Sequence, residues 1–435
     1  MQPKLQTWRR IAILAILLAT PASVRADAVA DWNAIAVQAT ITGARPTPTG
    51  VIDIAMVQAA IYDAVQAIER RYEPYYVEIK GASGSPVAAA AKAARDVLAN
   101  RFPAQVAVFD AAYQQHLATH GLSESDPGVA VGATAAAGII ALRACDGSFP
   151  VPAPSPFFGG ADPGVWRPTL PANAAMLAPW LGNVTPFTLT RPSQFRAAPP
   201  PALTSRQYAR DYHEVKALGA LNNSTRTPEQ TDVAHFYAGN TVVLWNKALR
   251  DIADAHVTDI ADSSRLFALA DMAIADAVIT AWNSKNYYVF WRPLTAIREG
   301  DNDGNPRTTG DASWLSLIVN PPYPDHTSGA NAFASAALSA LELFFGRDRV
   351  TFSVTTTNTG PTVEDTRTYR LFSDAAQDVV DARVYSGIHF RFADEAARKQ
   401  GRQVANWAYR NFLRPLDNND DDDDDDDDGD DDRHR

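Results

Sequence analysis

Three short segments in the second half of this 435-residue chain carry residue types suited to holding an anion. In "KNYYVFWRP", Lys285 and Arg292 stand seven apart, two helical turns, so both cations could share a face. Pro293 disfavours helix at Arg292, so a helix is expected to end between the two and Arg292 to swing in from the turn. In "PPYPDHTSGANAF", Pro321, Pro322 and Pro324 set an extended approach to a helix that opens at Ser328-Gly329 and closes at Gly346. Free amides and the dipole at such a helix start favour an oxyanion. Ser328 adds a hydroxyl, and Gly329 lets the backbone come close. In "ARVYSGIHFRFADEAARK", Arg383 ends one helix, Gly387 permits a tight bend and His389 precedes another helix. Taken singly, these are two solvated cations, an ordinary N-cap and a core histidine. Together they supply three cations, a donor-rich helix start and an imidazole able to act as nucleophile or ligand.

The order Lys-x6-Arg-Pro, then Ser-Gly, then Arg-x3-Gly-x-His resembles the signature of the type 2 phosphatidic acid phosphatase and vanadium-dependent haloperoxidase superfamily. "WRPLTAIR" and "GIHFRF" look like its soluble haloperoxidase branch. The resemblance covers residues 230–412; the N-terminal half is similar only in helical character and in "VQAAIYDAV". It implies an all-α fold of two packed helix bundles with a single oxyanion site. It also implies that Lys285, Arg292 and Arg383 neutralise vanadate or phosphate, and that Ser328 and the Gly329 amide hydrogen-bond it. His389 would then be the axial group, ligating vanadium or attacking phosphorus. A haloperoxidase would oxidise halide with hydrogen peroxide, Lys285 polarising the peroxide. An acid phosphatase would act on a phosphate ester through a phosphohistidine. A third reading is a non-catalytic oxyanion-binding protein.

One position departs from the family pattern. Where the resemblance expects Pro-Ser-Gly-His, the chain reads Thr327-Ser328-Gly329-Ala330. The missing histidine handles a proton at the apical oxygen, help typically worth about 10²–10⁴ in rate. His326 is the expected catalytic substitute, with Asp325 as an alternative proton acceptor. The family's acidic residue after the histidine is also displaced by one, found as Asp394 with Ala393 in its place. Because that residue commonly orients the histidine, the support of His389 is an open question. Tyr323 stands where family haloperoxidases carry a residue beside the halide.

Alanine-rich segments of 3.6-residue period must position these groups. "GVIDIAMVQAAIYDAVQAIERRY" puts Ile52, Ile54, Met56, Ala59, Ala60, Val65 and Ile68 largely on one stripe. Similar patterns fill 85–102, 104–121, 128–144, 227–254 and 262–285, the last with Asp262 and Ser263 available as N-caps. Residues 150–201 hold 13 of the 29 prolines and should form a long ordered loop excursion. It divides an N-terminal helical half, 27–149, from a C-terminal half, 202–416, that carries the site.

Residues 1–26 read as a cleaved secretory signal, with a retained anchor as the alternative, and imply a secreted or periplasmic protein. No later segment is expected to cross a bilayer. Residues 417–435 contain 13 Asp and 2 Arg, a net −11 equal to that of the whole chain, so residues 1–416 sum to zero. Such a run is expected to be a disordered, solvated tail. A neutral body without a basic stripe argues against nucleic acid. Cys145, the single cysteine, permits no internal disulfide and reads as a buried small residue. His116 and His120 have metal-ligand spacing but no evident third ligand, and "DNDGN" at 301–305 reads as a turn. Homodimerisation is an expectation from the alanine-rich helices alone.

Overall fold

A computed structural model describes residues 28–358 and 365–416; the expected signal segment and the Asp-rich tail lie outside these. The fold is mostly helical, as expected. The N-terminal part holds α1 (Ala28–Thr42), α2 (Thr47–Glu69), α3 (Pro86–Arg101), α4 (Val106–Thr119) and α5 (Pro127–Arg143). Following the excursion come α6 (Arg206–Leu218), α7 (Pro228–Phe236), α8 (Thr241–His256), α9 (Ile260–Tyr288) and α10 (Pro293–Arg298). Then α11 (Gly329–Phe345), a short antiparallel hairpin of β1 (Phe352–Thr355) and β2 (Thr366–Tyr369), α12 (Phe372–Tyr385) and α13 (Arg391–Asn411) complete it.

The two long helices are less amphipathic than their sequence stripes suggest. Residues 49–66 of α2 are buried all round, and α9 is buried almost continuously from Ala261 to Lys285. The reason is position: α2 packs on α1, α3, α5 and α9, while α9 also meets α11 and α13. Both are therefore long and apolar enough to cross a membrane, contrary to expectation, but 89% and 94% of their apolar windows lie inside the protein. One hydrophobic core runs through both parts of the chain. The N-cap of α9 is Asp259, which accepts from the Asp262 amide at 2.9 Å, rather than Asp262 or Ser263.

Between α5 and α6 the chain forms a strap whose single helical element is a 3-10 turn, Pro179–Asn183. Asp276 of α9, fully buried, accepts from the amides of Phe187, Thr188 and Leu189 and from the Thr188 hydroxyl at 2.6–3.1 Å, pinning the strap. Asp63 of α2 likewise holds the amides of Tyr75, Tyr76 and Val77 after its own helix ends. Farther along, the strap brackets residues 289–291: Trp166 donates to the Val289 carbonyl at 2.7 Å, and Trp291 to that of Gly164 at 2.9 Å. The Leu177 amide reaches the Pro322 carbonyl at 2.8 Å.

Two smaller expectations fail. Cys145 is exposed, because α5 ends at Arg143, whose guanidinium turns inward to Asp146 at 2.8 Å and leaves the intervening residues outside. The hairpin was not foreseen, its strands being four residues each. His116 and His120 stack on each other, 4.4 Å between ring centroids, and no group of three metal-ligating side chains exists among the described residues. The 301–305 segment does form a turn, with Asp303 accepting from the Asn305 amide at 2.8 Å.

Candidate oxyanion site

Lys285 lies in the last turn of α9, which stops at Tyr288 because Val289 takes a left-handed conformation (φ 46°). The chain then re-enters as an extended segment, and Arg292 caps α10 ahead of Pro293, the break anticipated from proline chemistry. Ser328 is the N-cap of α11 and Gly329 its first residue. Arg383 is in the last turn of α12, and Gly387 (φ 77°) makes the bend to His389. A Cβ at Gly387 would sit 2.3 Å from the Gly219 carbonyl oxygen, so only glycine fits.

These side chains converge and are buried. The Lys285 ammonium donates to the carbonyls of Pro324 (2.6 Å) and Asp325 (3.1 Å), leaving one of its three protons. Arg292 donates from Nε to the Tyr323 carbonyl (2.8 Å) and from Nη1 to that of Ile388 (2.7 Å), while its buried Nη2 has no partner. Arg383 donates from Nη2 to the Tyr237 carbonyl, and its buried Nε has none. Burial, then mutual repulsion, holds Lys285 well below the usual lysine range. Burial and the charges of Arg292, Lys285 and Arg383 press His389 well below its ordinary value, so the imidazole is neutral.

His389 Nδ1 lies 2.7 Å from Asp325 Oδ1. Burial raises the Asp325 carboxyl to about 7, against the opposing pull of Arg292 and Lys285. Asp394, the residue the family pattern offered as orienter, instead accepts from Asn331 Nδ2 at 2.8 Å and sits against the Ser328 hydroxyl. Ser328 is thus engaged within the protein, its amide also donating to the Ala393 carbonyl at 3.1 Å.

His326 is held through one ring nitrogen only, its buried Nδ1 having no partner. Its Nε2 lies 2.9 Å from the Ala198 carbonyl of the strap, and its ring packs between Tyr288 and Phe392. Burial there lowers it to about 4. The strap carbonyl claims one ring nitrogen, and the expectation that His326 replaces the missing histidine stays an expectation.

A cleft of about 220 Å³ opens onto the site. Arg383 and His389 line its floor with Gly329 and Ala330, and Trp282 and Tyr323 form one wall. Thr47 and Pro48 at the start of α2 reach its mouth, a contribution of the N-terminal part that residue spacing did not reveal. Tyr323 packs at a tilt against Trp282 (4.8 Å between centroids), with Lys285 and Arg292 each 4.9 Å from its ring. A tetrahedral oxyanion fits these residues. Two buried guanidinium nitrogens lack acceptors, and the first-turn amides of α11 need acceptors from outside the helix. Gly329 passes so close to Trp282 that a Cβ would lie 2.9 Å from the indole.

The comparisons with known proteins agree with this geometry. A family model described as the VCPO second helical-bundle domain matches residues 265–418, the window holding every cation of the site. Vanadium chloroperoxidase of Curvularia inaequalis is 28% identical over 289 residues, 51% of this chain and 46% of that protein, so the match spans about half the relative's length. Among solved structures, the first bacterial vanadium-dependent iodoperoxidase shares the fold at a TM-score of 0.76 and 24% identity, covering 90% of this chain and 97% of the other. A holo-type bacterial vanadium-dependent chloroperoxidase does so at 0.70 and 18%, covering 84% and 91%. The ordered motif, the convergent cations and these likenesses together support a relationship to the vanadium haloperoxidase and type 2 phosphatidic acid phosphatase superfamily.

Proposed function

We propose that this protein is a vanadium-dependent haloperoxidase-like enzyme that oxidises halide with hydrogen peroxide. The observation carrying the reading is the buried pair of acceptorless guanidinium nitrogens, on Arg292 and Arg383, beside a neutral histidine that lines the cleft. Lys285, Arg292, Arg383 and the first turn of α11 would hold vanadate, with His389 as its protein ligand. Bound vanadate supplies a Lewis-acid centre that activates hydrogen peroxide. Around it, Arg292 and Arg383 keep fixed donors in a desolvated pocket, where charge-assisted bonds count most. Lys285, tethered to two carbonyls, offers its remaining proton as a positioned donor.

Ala330 bears on the phosphatase alternative. With His326 bound to the strap, His389 is the one imidazole that lines the cleft among the described residues. An alkoxide leaving group needs a proton, so a phosphatase built this way would favour aryl over alkyl esters. The test is bromide and iodide oxidation by purified protein with hydrogen peroxide, with and without orthovanadate. Vanadate-dependent turnover, lost in His389→Ala, supports the proposal. Its absence, with hydrolysis of aryl phosphates, would replace the proposal with a phosphatase; silence in both assays would leave an oxyanion-binding protein.

A further inference from the structure

His389 can serve as a ligand or nucleophile through only one ring nitrogen, and which one depends on where its proton sits. Asp325 settles this. Its carboxylate oxygen lies 2.7 Å from Nδ1, while Arg292 Nη1, which can only donate, lies 3.1 Å from Nε2; together they place the hydrogen on Nδ1 and leave Nε2 as the accepting nitrogen. The Asp325 backbone is fixed on both sides. The Asp325 amide donates to the Phe290 carbonyl at 2.9 Å, and the Asp325 carbonyl accepts from Lys285 at 3.1 Å. Arg292 Nη1, 3.1 Å from Nε2 and 3.4 Å from Nδ1, sets a positive charge against both nitrogens and opposes a second proton on the ring. Asp394 faces Asn331 and Ser328 instead, and no hydrogen bond joins it to His389.

We propose that Asp325 is the positioning residue for His389, fixing the tautomer that presents Nε2 as a lone pair. A site so arranged favours a tetrahedral centre able to accept a lone pair, vanadate, over phosphate held by cations and amides alone. The vanadate part rests on the proposed function; the tautomer does not.

The experiment uses full-length protein labelled with ¹⁵N-histidine at pH 8.5, where Asp325 is ionised. Long-range ¹H–¹⁵N correlation spectra then read the His389 tautomer. Wild type should show the Nδ1–H form, Asp325→Ala the Nε2–H form, and Asp325→Asn, which keeps an acceptor oxygen, the wild-type pattern. The ratio of orthovanadate to orthophosphate affinity should fall about tenfold or more in Asp325→Ala, the usual scale for losing a ligand's supporting hydrogen bond. An Nε2–H tautomer in wild type would overturn the proposal, as would an unchanged tautomer and ratio in Asp325→Ala. Should Asp325→Ala not fold, wild type and Asp325→Asn still decide the tautomer. An Nδ1–H wild type that binds phosphate but no vanadate would refute the haloperoxidase reading while leaving the tautomer assignment standing.

Discussion

Gly329→Ala tests whether the first turn of α11 forms a wall of the anion site. The new Cβ would lie 2.9 Å from Cζ3 and 3.4 Å from Cη2 of Trp282, about half an ångström inside ordinary carbon contact at the nearer atom. Trp282 has little room to yield. It is 1% exposed, packed against Tyr323 and tied through Nε1 to the Leu177 carbonyl at 3.3 Å. The α11 turn must therefore retreat from the two arginines. Overpacking of this kind costs roughly 1–3 kcal/mol of stability. Lengthened charge-assisted bonds to the anion would cost about 1–2 kcal/mol more, a loss of roughly 5–30-fold in affinity. Calorimetric titration with phosphate and orthovanadate, beside thermal melts, measures both effects. Trp282→Phe in the same chain removes the clashing atom and should restore much of the affinity. A variant that melts low yet binds phosphate within about twofold of wild type would show that the turn has only a structural role, refuting this reasoning.

Three further outcomes are expected. Ala330→His should raise peroxidase turnover about 10²-fold by adding an acid–base group to the cleft, measured as vanadate-dependent bromide oxidation; an unchanged rate would mean another group already moves the proton. Affinity for sulfate, whose charge is constant over this range, should fall roughly tenfold as pH climbs from 6 to 8.5, because Asp325 loses its proton near 7 and adds a negative charge to the site; Asp325→Ala should flatten the titration. Asp271, fully buried, is raised by burial to about 8, so between pH ~4 and ~8 the folded state keeps a proton that the unfolded chain has released. That contribution is full below pH ~4 and is lost as pH rises to ~8, by as much as about 5 kcal/mol. Asp271→Asn keeps an acceptor for Asn33 and should flatten the stability profile in urea titrations at pH 5, 7 and 9.

The positions of Lys285, Arg292, Gly329, Arg383 and His389 were legible because each sits where a local signal acts: a helix end, a proline, a glycine bend. Their convergence could be inferred only from the family order, since no local rule joins segments a hundred residues apart. What stayed hidden were long-range choices between equivalent partners. Asp394 follows His389 within the same segment while Asp325 lies 64 residues away, and only packing decides that the distant acid meets the ring and the nearby one meets Asn331. The hold of the Ala198 carbonyl on His326 Nε2, across 128 residues, is likewise a contact that no spacing shows. The α2 and α9 stripes were read as one-sided for the same reason: periodicity shows that a face is apolar, not how many neighbours surround it.

The proline-rich strap gives this architecture an evolutionary consequence. Its Leu177, Ala197 and Ala198 backbones press on Trp282, Pro322, Tyr288 and His326, the supports of the cleft, while the anion-binding side chains belong to helix ends and turns elsewhere. Most of these contacts run through the strap's main chain, so side chains other than anchors such as Thr188 and Arg196 can be exchanged without breaking them. Lineages could therefore remodel the room above the anion by rewriting one irregular segment, with the charged floor inherited intact. Substrate range and cofactor retention would then diverge at different rates within a single chain.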